Sequence, residues 1–456
     1  MIQEANTEDQ LKDQPPAPPK APSTFLLVDI GERHTTALLI QRVAGFCRLV
    51  SRAAVPSTHK PPHSNAGDGV LEAIQTLEEI GNQKILTSNN DLVLHTEQRG
   101  RGIDKFLISI SMERIIRTVV VAPSVDDPAV ESAVHLLQRF PSKLEKLFTG
   151  GNTHDLIEDV TWLANNRPDL VLIVGSDPRG RGYGKQIVRA ATHVGIGVRQ
   201  FSKASRPEVI YAASGHWDED VKQALDLGAE LKTAPNLRPD ARHERVKPVR
   251  KLIEDVIRRD HLSQIPGLVE VMRWSGEVPY ARNEGLAIFA RFQAALVDGP
   301  ILILDHDVNG LTMVYAKPNF TDLIIRSDLG LGKTLGQAAG ELDLAELSQW
   351  VGTTSSAAEN NKNLLHTHMI NRSLFPNAIA QSKQELSLDL VMLQGLIRKG
   401  VQEASNAWGL DPEVPLPIKR LFVRGKILEL TGDGDSLILT LFNALQLQGE
   451  LSLIHI

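Results

Sequence analysis

Hydrophobic positions in this chain come in short runs, and their period changes along its length. "TFLLVDI", "TTALLIQ" and "GFCRLVSRAAV" are β-branched and aliphatic, and lie close enough together to form a meander of strands. A Pro/His/Asn-rich loop at 56–68 follows. Val70, Ile74, Leu77 and Ile80 then mark one side of a helix over Gly69–Gly81. "FLISIS" and "RTVVVAP" read as further strands, and 127–148 reads as helical. Next, strand, polar loop and helix alternate: "RPDLVLIVGS", the loop "DPRGRGYG", a helix Lys185–Gly195, then "RPEVIYAAS" and "DEDVKQALDLG". That alternation is the sequence form of a parallel α/β layer. Pro235–Pro239 reads as a connector, with helices after it over "ERVKPVRKLIEDVIRRDHL" and around Glu284–Leu296.

At Gly299 the opening pattern returns. "GPILILDHDVNGLTMVYA" is an apolar strand ending on Asp305, a polar turn and another strand, with "FTDLIIRSDLGLG" as a third. A strand–Asp–turn–strand unit therefore occurs twice, near 25–41 and 300–316, and duplication of this kind predicts two similar domains that face each other.

The first copy carries candidate chemistry. Asp29 ends a strand, Gly31 follows two residues later, and Thr35 and Thr36 open the next strand. Gly31 lets a backbone approach an anion, a Thr hydroxyl and turn amides can donate to phosphate, and Asp29 can orient hydrated magnesium. The same residues also suit a hairpin with a polar turn. In the second copy Asp305 takes the matching place, but Asp307 stands where a glycine would serve, and its charge repels phosphate. In "RLFVRGKILELTGDGDS", Gly425 follows an apolar strand, where a backbone pocket can pack an adenine ring, while Gly432 and Gly434 read as turn glycines. Two look-alikes are set aside. "SDLGLGKT" lacks the first glycine of a phosphate-binding P-loop, and "GSDPRGRGYGK" fits neither glycine-rich nucleotide pattern. His366 and His368 form an HxH pair with no third ligand in sequence, and there is no HExxH and no nucleophile elbow.

Composition narrows the classes. The chain has 456 residues, 42% of them hydrophobic, enough for two or three domains with real cores. The net charge of -6 is spread along the chain, which argues against nucleic acid or a polybasic membrane patch as partner. Cys47 is the only cysteine, so disulfides within the chain and cysteine-based zinc sites are excluded. No apolar run reaches a membrane span. Residues 1–24 read as a disordered Pro-rich tail and not as a signal peptide, so a cytoplasmic protein is expected. The last six residues, "LSLIHI", spell a transposon sequencing adaptor read in frame, so 451–456 is expected to be non-native and the natural chain to continue past Glu450.

Taken in order, "VDIGERHTT", "RPDLVLIVGSD" with "VIYAAS", "HERVKPVRKLIEDVI", "IPGLVEVMRWSGEVPYARNEG", "ILILDHDVNGLT", "RSDLGLG" and "LFVRGKIL" resemble the glutamate mutase accessory (MutL/GlmL-like) family, within the actin–heat-shock chaperone–sugar kinase ATPase superfamily. The resemblance implies an α/β fold of two facing actin-like (ribonuclease H-like) lobes with an inserted parallel α/β layer. It implies a first lobe at 25–126, an inserted layer at 127–235, a helical connector at 236–298 and a second lobe at 299–450. ATP and magnesium are the cofactors it implies, and a cobalamin-dependent mutase the protein partner. Asp29, Gly31 and Thr35 match the first phosphate motif, Asp305 the start of the second, and Gly425 the first glycine of the adenosine motif. Asp29 and Asp305 would hold magnesium through water. Each motif is eroded: Glu32 and Thr36 replace a small residue and a Lys, Asp307 and Val308 a Gly-Gly pair, Lys426 a second glycine, and "SISMERII" a small-residue stretch. The expectation is a pseudo-ATPase with a binding or scaffolding role. The alternative is an active, ATP–magnesium-dependent reactivating chaperone of the mutase.

Overall fold

The structure is a computed structural model and describes residues 23–94, 102–111, 115–150, 156–176, 181–225, 231–240, 242–332, 334–351, 358–376, 378–411, 414–425, 428 and 434–447. The Pro-rich tail up to residue 22 and the final hexapeptide lie outside the described residues. The chain divides into two compact units, Met1–Met112 with Leu262–Arg282, and Glu113–His261 with Asn283–Ile456.

In the first unit, β1 (Thr24–Ile30), β2 (His34–Val43) and β3 (Phe46–Pro56) form an antiparallel meander, and β4 (Lys105–Ile110) pairs parallel with β1. A two-residue strand, β10 (Tyr280–Ala281), adds beyond β4, giving the order β10-β4-β1-β2-β3. Alternate residues of β1 and β2 are buried because only one face is covered, by α1 (Ala66–Gly81) and by α7 (Leu268–Ser275). Val70, Ile74 and Leu77 supply the buried stripe of α1, whereas Ile80, in its last turn, is exposed. Asn65 caps the helix by accepting from the Gly67 amide at 2.9 Å.

The second unit opens with a doubly wound layer. It runs β5 (Ile116–Ala122), α2 (Pro128–Leu137), β6 (Ser142–Thr149), α3 (Leu156–Asn166), β7 (Leu170–Val174), α4 (Arg181–Val198), β8 (Glu208–Ala212), α5 (Asp218–Leu225), β9 (Lys232–Thr233) and α6 (Val246–Gln264). All five strands are parallel, in the order β6-β5-β7-β8-β9. Numbered within the layer that order is 2-1-3-4-5, the flavodoxin-like winding. Helices cover both faces, which is why β7 is buried at every position. Two sequence expectations are corrected here. The segment 127–148 is not one helix: Pro141 stops α2, and "SKLEKLFT" pairs as an edge strand with β5. The first-lobe boundary at 126 falls inside the layer, because β5 finds its partners in β6 and β7.

The rest of this unit is α8 (Arg282–Val297), then β11 (Ile301–Asp307), β12 (Gly310–Lys317) and β13 (Phe320–Arg326) in a second meander. Four helices follow: α9 (Leu335–Ala338), α10 (Leu344–Ser348), α11 (Ala358–Leu374) and α12 (Lys383–Ala407). β14 (Arg420–Gly425) then pairs parallel with β11, and α13 (Gly434–Leu445) completes the core. The order β13-β12-β11-β14 repeats the β3-β2-β1-β4 of the first unit. The layer is fastened to this sheet along β13. Arg139 grips Asp322 with two bonds of 2.9 Å, the Ile325 amide donates to the Gln138 carbonyl, and Ser327 Oγ donates to the Ser142 carbonyl at 2.8 Å. Among the described residues, no helix is long and apolar enough to cross a membrane.

One buried group makes this unit acid-sensitive. His306 is fully buried, its Nε2–H donates to the Leu329 carbonyl at 2.8 Å, and burial lowers its pKa from 6.5 to about 4. The unfolded chain takes up this proton near 6.5 and the folded chain does not. The contribution to stability is therefore complete above 6.5 and is lost as pH falls from there to about 4. The total loss is about 3 kcal/mol. Urea denaturation across that window, without nucleotide or divalent metal, should show a shallower acid slope for His306→Asn than for the wild type.

Candidate functional site

Strand register places the two aspartates in equivalent positions. Asp29 is opposite Thr36 on β2 and Ser109 on β4, and Asp305 is opposite Thr312 on β12 and Arg424 on β14. The hairpin turns match in length. Gly31 to His34 close the first through an amide-to-carbonyl bond of 3.0 Å, and Asp307 pairs with Gly310 in the second. Gly31 thus corresponds to Asp307, and Glu32 to Val308, as the sequence comparison of the motifs required.

In the first unit the Asp29 carboxylate is half-buried and takes two hydroxyl donors, Ser109 Oγ on Oδ1 at 2.8 Å and Ser111 Oγ on Oδ2 at 2.7 Å. Gly31 is required sterically: a Cβ there would lie 2.7 Å from the His34 carbonyl oxygen and 3.1 Å from Ser111 Oγ. Thr35 is fully buried and pairs with Ile30, so it lies on the sheet face opposite to Asp29, while Thr36 shares the Asp29 face. Thr35 Oγ1 instead approaches Ser57 Oγ at 3.4 Å. Ser57 gives its single proton to the Gly31 carbonyl at 2.7 Å, so His59 Nδ1, 3.0 Å away, must donate to Ser57. Burial pushes His59 below the ordinary imidazole value, with Glu32 opposing that shift and Lys60 adding to it. Glu32 itself is ion-paired with Lys60 and faces His59 Nε2 at 3.6 Å, so its charge is balanced within the turn.

In the second unit Asp305 is 1% exposed, and Arg424 Nη1 stands 3.4 Å from its Oδ2. Gly425 has φ +92°, and a Cβ at that position would meet the His306 carbonyl and, at 2.8 Å, Asp305 Oδ1. Asp305 and Gly425 are thus brought together by the β11–β14 pairing, as Asp29 and Gly31 are by the first hairpin. The residues missed in the sequence are those on the parallel strands and the flanking loop: Ser109, Ser111, Ser57, His59 and Arg424. Ser109 and Ser111 had a signal, two hydroxyls at a spacing of two on the end of an apolar strand. Arg424 had none.

The set-aside motifs also have structural explanations. Gly330 and Gly332 let their loop cross the Asp307–Gly310 turn, because side chains there would collide with Val308. Lys333 and residues 177–180 lie outside the described residues. His366 is exposed, while His368 Nε2 meets Asp389 at 2.9 Å. The sequence had found no nearby carboxylate. The fold brings in Asp389 from α12, where Arg372 also holds it in a buried ion pair. No group of three or more His, Cys, Asp or Glu suited to a metal ion occurs among the described residues.

The donor sets bear differently on hydrated magnesium. Asp29 is half-buried and held by two hydroxyls with no cation against it among the described contacts, which suits it. Asp305 is buried beside a guanidinium that already supplies a positive charge, which does not.

Two sheets of the same strand order, each with an aspartate near the end of its first strand, define a protein of the actin-like ATPase fold. More narrowly, a family model described as MutL protein matches residues 25–406, and the chain belongs to that family. No curated protein matches it. Among solved structures it is similar to nucleotide-free acetone carboxylase at 10% identity and a TM-score of 0.33, covering 86% of this chain and 64% of that one. It is also similar to component A of the (R)-2-hydroxyglutaryl-CoA dehydratase of Acidaminococcus fermentans, at 9% identity and a TM-score of 0.29, covering 93% of this chain and 90% of that one. Scores of this size are too low to bear on function.

Replacing the close-packed glycine or the serine donors should cost stability in different amounts. Gly425→Ala should lose about 2 kcal/mol or more, through backbone strain and the clash with Asp305. Ser111→Ala should lose about 1–2 kcal/mol through one charge-assisted bond. Chemical denaturation midpoints of the three proteins measure both.

Proposed function

We propose that this chain is an accessory partner of a cobalamin-dependent mutase that uses its actin-like fold for binding and scaffolding, without useful ATP turnover. The carrying observation is the Arg424–Asp305 pair. At the position where the first unit presents Ser109, the second presents a guanidinium, so the carboxylate matched to the second phosphate motif has its countercharge inside the protein. Asp307 and Val308, at the places of Gly31 and Glu32, add bulk and negative charge where a triphosphate would need close backbone approach. Membership of the MutL family supports the mutase as partner.

One observation favours the alternative of a working ATPase. The first phosphate-facing segment keeps its aspartate and glycine, with Asp29 oriented by Ser109 and Ser111 and Gly31 packed without a side chain. In that reading Asp29 would hold hydrated magnesium and Gly31 would admit the phosphate. Bound magnesium would supply charge neutralisation of the phosphates.

Calorimetric titration of the full chain with ATP and magnesium separates the two readings. The expected result is no binding at about millimolar ATP. Micromolar binding that Asp29→Ala abolishes would overturn the pseudo-ATPase reading. Co-purification with a cobalamin-dependent mutase tests the partner, and a wild-type chain that fails to associate with that enzyme would sink this part of the proposal.

A further inference from the structure

The inserted doubly wound layer carries a pocket of its own, unrelated to Asp29 or Asp305. Its volume is about 500 Å³, and it opens between α3, α4 and the start of α5. Leu156, Val188 and Trp217 form apolar walls, and Lys185 and Arg189 stand over them. Trp217 is held against α4 because residue 184 is glycine; a Cβ there would overlap the indole ring.

A buried polar group is directed into this pocket. His193 is 6% exposed and is one of the lining residues. Its Nδ1 lies 2.9 Å from Asp159 Oδ2, and Asp159, 1% exposed, also takes Lys146 Nζ at 3.2 Å. A carboxylate only accepts, so Nδ1 carries a proton, and in the tautomer this selects Nε2 presents a lone pair. Among the described residues nothing pairs with Nε2. As a lining residue, His193 offers this nitrogen to a group bound in the pocket.

We propose that this pocket binds a planar organic anion, an aromatic or heteroaromatic ring carrying a phosphate or carboxylate and a hydrogen-bond donor. The ring lies against Trp217, the anionic group meets Lys185 and Arg189, and the donor reaches His193 Nε2. Asp220 at the rim leaves the local balance positive, since two cations oppose it. Lys146 and Asp159 act as positioning residues that fix the imidazole.

Saturation-transfer NMR of the full chain with 4-hydroxyphenyl phosphate and with 4-hydroxybenzoate, each of which carries a ring hydroxyl as donor, tests this, and the two arms distinguish the phosphate from the carboxylate source. The expected result is saturable binding of at least one probe, weakened about tenfold or more by Arg189→Glu. His193→Gln should weaken it as well. Arg189 is exposed, so its replacement keeps the test valid even where His193→Gln loosens the α3–α4 contact. No saturation by either probe at about 10 mM, or equal binding by wild type and Arg189→Glu, would overturn the proposal. Because Arg189 lies in this layer, the difference between wild type and Arg189→Glu is independent of any result with ATP.

Discussion

The register of one parallel strand against the first strand of each meander sets what surrounds the two aspartates. β4 lies on β1 so that Ser109 stands opposite Asp29, and β14 lies on β11 so that Arg424 stands opposite Asp305. A slip of one residue would turn every side chain to the other face, so burial of the apolar face fixes the register in both sheets. The chemistry of each carboxylate is thus decided by a strand about 80 residues away in the first unit and about 120 away in the second. One aspartate meets hydroxyls and stays reachable, whereas the other meets a guanidinium and is sealed.

The inserted layer is tied to the second sheet at its β13 edge. A bidentate Arg139–Asp322 pair, the Ile325–Gln138 backbone bond and one serine bond hold it there, and the backbone bond pairs one amide of that edge. Helices on both of its faces make the layer a hydrophobic core in its own right, with its own buried polar group at His193. The connector read from the sequence as one segment is divided accordingly. α6 packs on the layer, α7 on the first sheet and α8 on the second.

Much of this architecture was legible in the sequence. The two strand–Asp–turn–strand units were visible because β-branched runs ending on aspartate are local features, and the helix over 69–81 follows from apolar period alone. β6 was misread as helix because Lys143, Glu145 and Lys146 interrupt its apolar residues and its register against β5 shifts after Leu144, leaving no strand alternation to read. The flavodoxin-like order was not legible, since nothing local states that β5 has neighbours on both sides.

The sequence by itself determined which residues end the first strands, Asp29 and Asp305, and which turn positions have lost their small residues, Glu32, Asp307 and Val308. These are identities at fixed spacings within one hairpin, and hairpins are set by nearby residues. Only the tertiary structure decided that Thr35 turns into the core, that Glu32 is balanced by Lys60, and that Arg424 neutralises Asp305. Those outcomes depend on pairing between distant segments, and what fixes such pairing is the burial of whole faces, not any short motif.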